Sequence, residues 1–159
     1  MKRAKVAIDT SLPHRLVRML QTGFGDHGYE FLYVTEFASA SSDDEFWASA
    51  FRRFGGSIVI AGDKNIARRP HQIEAFKEND LICFFCDKRW ASCDGTYKVA
   101  HIVYWWPRIE NQLQLSKPKD CWWVPMAIAA KEFRKVELPD HAKKKAAKRT
   151  AWAIHRNCP

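Results

Sequence analysis

The stretch KVAIDTSLPHRL, residues 5–16, joins a short apolar run to a helix-start signal through a single acid. Val6, Ala7 and Ile8 read as a buried strand, and the run stops on Asp9. Thr10 or Ser11 then caps a helix with Pro13 in its first turn, and Leu12, Leu16, Val17 and Leu20 fall on one apolar face. Asp9 stands at the junction. A carboxylate there is a turn residue, a helix cap or one corner of a metal site, and the rest of the chain has to decide.

The same unit recurs outward from that point. YEFLYVTEF (29–37) reads as a second strand, followed by SSDDEFWASAFRRFGG, with Phe46, Trp47, Ala50, Phe51 and Phe54 at helical spacing and Gly55–Gly56 as the stop. SIVIAGD (57–63) is a β-branched third strand. A helix from Pro70 to Lys77 and a fourth strand, LICFFCD (81–87), come next. Strand and helix alternating over short links predict an α/β fold: a mainly parallel sheet flanked by helices. Beyond Asp87, KVAHIVYWWPRIENQLQL reads as a helix interrupted near Pro107, and DCWWVPM as a last strand. Residues 1–138 are expected to form one domain, and the lysine-rich 139–159 a basic surface helix or tail.

Composition narrows the function classes. A chain of 159 residues with 47% hydrophobic residues and seven tryptophans can bury a core unaided, which excludes a mainly disordered chain. Its net charge of +8 favours an anionic partner, with nucleic acid the leading candidate. No apolar run approaches the ~18–20 residues of a membrane span, and no secretory signal is evident. A cytoplasmic location is therefore expected. Five cysteines in such a chain point to reduced thiols rather than a disulfide framework.

Function in an open parallel sheet gathers outside the carboxyl ends of its strands. Asp9 closes strand one and Asp63 closes strand three. Asp43, Asp44 and Glu45 open the helix that returns the chain from strand two, so they belong to the same edge. Acids that converge repel one another unless a cation lies between them. All-oxygen ligation selects Mg²⁺ or Mn²⁺, an ion that activates water and accepts phosphate oxygens. An acidic centre on a basic protein is what a nuclease needs. The competing readings are a capping box at Ser42–Glu45 and turn chemistry at Asp63 in GDKN.

These residues carry a resemblance. IDTSLPHRLVRML, SDDEFW, IVIAGDKNIARRPHQIEAF and the later WWPRI and WWVP occur in the expected order over most of residues 5–126. The chain in this respect resembles the PIN-like nuclease domain, in the compact three-acid form of VapC-type toxins of toxin–antitoxin pairs. The resemblance implies a three-layer fold and a Mg²⁺- or Mn²⁺-dependent endoribonuclease acting on RNA. Asp9, Asp44 (three residues before Trp47) and Asp63 would be the metal-binding and catalytic acids, and an antitoxin would cover the crevice. Lys64, Arg68 and Arg69 are the expected phosphate contacts, with solvated helix-start charge as the plainer reading. The chain departs from the pattern at Thr10, where an acid often stands, and it has no clear fourth acid, Glu36 being the nearest stand-in.

Two other functions stay open on sequence alone. A receiver-type phosphoacceptor also has acids after strands one and three. An inactive PIN-like module binding nucleic acid or a partner would share the scaffold, and a homodimer is compatible with any of these. Cys83 and Cys86, three apart in a strand, point to opposite faces and fit core thiols better than zinc. Trp105–Trp106 and Trp122–Trp123 either pack a core or stack on unpaired bases.

Overall fold

The computed structural model describes residues 2–39, 44–63 and 65–138. The basic segment 139–159, Asp43 and Lys64 lie outside the described residues.

Val6, Ala7 and Ile8 are fully buried, and the first strand, β1 (Ala4–Ile8), runs through the middle of the molecule. The other strands are β2 (Tyr29–Tyr33), β3 (Gly56–Ala61), β4 (Ile82–Cys86), β5 (Cys121–Val124) and β6 (Arg134–Lys135). They form one six-stranded sheet in the order β2-β1-β3-β4-β5-β6, parallel except for β6. The expected α/β architecture with a mainly parallel sheet is thus present. The strand order reverses between β1 and β3, which makes their carboxyl ends the switch point of the sheet.

Helices cover both faces. On one face α1 (Arg15–Phe24) and α5 (Gly95–Leu115) bury Leu16, Leu20, Ile102, Trp105, Trp106 and Ile109 against Val6 and Ile8. On the other, α2 (Asp44–Arg53) and α3 (Pro70–Glu78) bury Trp47, Phe51, Ile73 and Phe76 against Ala7, Val59 and Ala61. Period-two alternation in β1 sends neighbouring side chains to opposite cores. Burying each large side chain contributes on the order of 1.5–3 kcal/mol, so the tryptophans of α5 anchor their layer. Gly55, at φ +86°, ends the turn between α2 and β3 in a conformation that side chains rarely adopt.

Three expectations need correcting. The helix containing Pro107 is continuous from Gly95 to Leu115. α1 begins at Arg15, and its N-cap position is His14, which makes no side-chain cap bond, so neither Thr10 nor Ser11 occupies the cap. The second strand ends at Tyr33, and Val34–Glu36 turn into a short 3-10 helix. The cysteines behave as expected: Cys83 packs in the core under α2 and α3, and Cys86 in the core under α1 and α5. Trp105 and Trp106 are fully buried, which leaves them no face for a base. A short helix, α4 (Lys88–Ala91), precedes α5 and is capped by Asp87, whose carboxylate accepts from the Arg89 amide.

Candidate active site

The carboxyl ends of β1 and β3 are fastened together. The Asp9 amide donates to the Ile60 carbonyl at 3.0 Å, continuing the ladder one residue past the strand. Parallel pairing brings Ile8 beside Ile60, so the residues after them must emerge on one edge. Asp9, Thr10, Ser11, Ala61, Asp63, Ile66, Arg69, Gln72 and Phe76 line a pocket of about 250 Å³ there.

Asp9 is oriented by the serine two residues further on. The Ser11 amide donates to its Oδ2 at 3.1 Å, and the Ser11 hydroxyl donates to the same oxygen. This is the local turn chemistry of a short acid. The hydroxyl also accepts a 2.9 Å bond from the Gly62 amide, so one serine spans both strand ends. The charge of Asp9 reaches Tyr33, whose phenol is pushed up, first by burial and then by that negative neighbour. Tyr33 Oη donates to the Leu12 carbonyl at 2.9 Å, holding the link between β1 and α1 beside the acid.

Asp63 is fixed in the same manner. Its Oδ1 accepts from the Asn65 amide at 2.8 Å, and its Oδ2 faces the Arg69 guanidinium at 3.3 Å. Arg69 stands immediately before α3, so the start of that helix supplies the positive charge of the pocket. Arg68 is exposed and does not line it.

Asp44 is the first residue of α2. Trp47, one turn further on, packs on Phe76 with ring centroids 5.0 Å apart, and Phe76 lines the pocket. Glu36 is spent elsewhere: its carboxylate accepts from the Tyr33 amide in the 3-10 turn, and it does not line the pocket.

Three residues escape a reading of the sequence. Ser11 looks like a helix cap, although its position two residues after an acid is a turn signal in its own right. Gln72, 6% exposed, is a buried amide facing the pocket from α3. Asp87 is a further acid at the sheet's carboxyl edge, but it is turned toward Arg89 (3.4 Å) and Arg134 (3.6 Å) and does not line the pocket.

The donor set can be weighed for an ion. Among the described residues no group of three or more His, Cys, Asp or Glu side chains gathers as a metal site. Asp9 and Asp63 nevertheless offer two carboxylates to one pocket, held by local hydrogen bonds, and hard oxygen donors of this kind suit Mg²⁺ or Mn²⁺.

The PIN like domain family matches residues 4–88, more than half of the chain, a span containing Asp9, Asp44 and Asp63. The chain belongs to the PIN-like domain family. No curated protein and no solved structure matches it. PIN-like domains are generally nucleases, hydrolases of phosphodiester bonds, so the membership carries a nuclease-type function. Within this PIN-like domain the matched residues supply β1 through β4, and the β1–β3 crevice lies wholly inside them. Among the described residues no helix is long and apolar enough to cross a membrane.

Proposed function

We propose that the protein is a Mg²⁺- or Mn²⁺-dependent endoribonuclease, the toxin of a toxin–antitoxin pair. The observation that carries this reading is the meeting of Asp9 and Asp63 in one pocket at the switch point of a chain with net charge +8. Asp9, Asp63 and Asp44 at the head of α2 would hold the ion. An ion held by these acids would supply charge neutralisation at the scissile phosphate and would lower the pKa of a water enough for hydroxide to form near neutral pH.

The chain's own residues do the rest. Ser11 keeps the Asp9 carboxylate turned into the pocket, which removes a reorganisation cost at the moment of reaction. Arg69 can shift from Asp63 to a phosphate oxygen once other positive charge reaches that acid, so it positions the backbone of the RNA. Arg68 and Lys64 would be further phosphate contacts. An antitoxin segment laid over the crevice would shut RNA out. The family match favours this reading over a receiver-type phosphoacceptor.

The test is direct. Purified protein given single-stranded RNA should cut internally with Mn²⁺ and stop in chelator. Arg69→Ala should raise KM and flatten the salt dependence by roughly one phosphate's worth, a slope change of about 0.7. Induced expression of the wild type should arrest growth, and Asp63→Asn should not. Cleavage that persists in chelator would contradict the reading.

A further inference from the structure

A second cavity, of about 330 Å³, lies on α5. Arg108, Asn111, Gln112 and Leu115, spaced i, i+3, i+4 and i+7, share one face of the helix, and Lys131 and Phe133 complete the lining. α5 starts at the carboxyl edge of the sheet, where the Arg15 guanidinium donates to the Thr96 hydroxyl at 2.8 Å. Because β4 and β5 are parallel, the helix carries the chain back toward the opposite edge. From Gly95 to Arg108 it climbs roughly 20 Å, which sets this cavity apart from the Asp9–Asp63 pocket.

Arg108 is fixed before any ligand arrives. Its Nη1 donates to the Ile128 carbonyl at 3.1 Å and to the Ala130 carbonyl at 2.8 Å, and its guanidinium lies over the Trp105 ring, 4.7 Å from the centroid. Both bonds use one nitrogen. Nε and Nη2, the pair of donors that takes a carboxylate through two parallel bonds, have no partner among the described residues. Lys131 is exposed and makes no ion pair among them either. Among the described residues no acid lines the cavity, so two cations stand there without a counter-charge.

The apolar neighbours decide what kind of anion fits. Leu115 is 77% exposed, and Ile128, in the loop that Arg108 fastens, is 54% exposed. Exposed apolar side chains around a fixed arginine mark a contact with protein. A nucleobase needs an open aromatic face, whereas the Phe133 ring is engaged edge-on with Phe84 and Trp105, centroids 5.7 and 5.4 Å away. We propose that this cavity docks an acidic segment of a partner protein, with a Glu or Asp carboxylate held by Arg108 and Lys131 and an adjoining aliphatic side chain on Leu115 and Phe133. The sign of the charge selects the partner: a chain of net charge +8 repels a second copy of itself and draws in an acidic one. The docking site goes beyond the ribonuclease reading and does not depend on it.

Random-peptide display on the immobilised full chain tests this, with the enriched peptides resynthesised and their Kd measured by fluorescence anisotropy. The enriched sequences should carry Glu or Asp next to an aliphatic residue. Lys131→Glu and Leu115→Asp should each weaken their binding about tenfold or more. Arg18→Glu, the same change of charge on an exposed part of α1, should leave Kd within about twofold. Arg108→Lys keeps the charge and loses the paired donors, so it should weaken binding as well. Because Arg108 also fastens the loop at Ile128 and Ala130, the decision rests on Lys131→Glu, at a residue with no ion pair to lose. No enrichment of acidic peptides, or equal weakening by Lys131→Glu and Arg18→Glu, overturns the docking site. Tight binding of a single-stranded RNA oligonucleotide that Lys131→Glu abolishes, with peptides held only weakly, overturns it in favour of a nucleic acid. None of these outcomes bears on Mn²⁺-dependent cutting, so the ribonuclease reading stands or falls separately.

Discussion

The Gly62 amide donates a 2.9 Å hydrogen bond to the Ser11 hydroxyl. Because that hydroxyl donates onward to Asp9, the acid at the end of β1 takes its orientation partly from the strand beside it. A serine two residues after an acid ordinarily serves only its own turn. Here it also locks two strand ends at the place where the sheet reverses its order.

Ser11→Ala should therefore cost more in activity than in stability. Removing an outer partner of a metal-binding carboxylate lowers metal affinity or activity by about 10–100-fold. The lost hydrogen bonds destabilise the fold by only about 1 kcal/mol. Parallel Mn²⁺-dependent cleavage and urea unfolding measure the two effects, and Ser11→Thr, which keeps the hydroxyl, should restore most of the activity. Full activity in Ser11→Ala would deny the serine any part in catalysis.

Gly62 is small because its neighbours are close. A Cβ there would lie 2.6 Å from Leu12 Cδ2 and 3.1 Å from Leu12 Cγ, and Leu12 is buried. Gly62→Ala should destabilise by about 1–3 kcal/mol through overpacking. The urea midpoint should fall with an unchanged slope.

Pro107 lies on the exposed side of α5, inside an unbroken helix of 21 residues. Its ring removes one helical hydrogen bond and crowds the preceding turn, so Pro107→Ala should stabilise the protein by roughly 1–3 kcal/mol. Thermal unfolding reads this as a higher midpoint. An unchanged or lower midpoint would mean that the local backbone has already absorbed the strain.

That helix shows where sequence stops short. Proline chemistry predicts an interruption near residue 107, but Trp105, Trp106 and Ile109 flank the proline in one core and hold the helix through it. Tertiary burial overrides local preference. Asp9 and Asp63 are legible because alternation of elements fixes which strand ends share an edge, and that logic needs no side-chain detail. Ser11 and Gln72 are not. Their importance depends on which strand runs alongside β1 and which helix face closes the pocket, and neither is a local property. Asp87 illustrates the opposite case, an edge acid whose arginine partners, one of them Arg134 far along the chain, turn it into a structural ion pair.

Asp120 gives a pH signature. Partial burial alone would raise its carboxyl, but the Lys117 amide at 2.9 Å and the Lys135 ammonium at 3.0 Å outweigh it and leave it below the ordinary carboxylate value. A lowered folded value stabilises the protein at pH above the unfolded value, about 3.9, and that share is lost as pH falls through the folded value. Because the pair reaches the surface, its share should stay under about 1 kcal/mol. The stability difference between wild type and Asp120→Asn should be largest near neutral pH and shrink below about pH 4. A difference independent of pH would contradict the assignment.

Titration calorimetry of Mn²⁺ into the wild type, Asp9→Asn, Asp63→Asn and the double variant bears most directly on whether two strand-end acids share one ion. Binding should be saturable in the wild type and weakened about tenfold or more by either substitution, with the double variant little worse than a single one, since residues serving one site are not additive. Binding that survives both substitutions, or two independent losses that simply add, would contradict a shared ion.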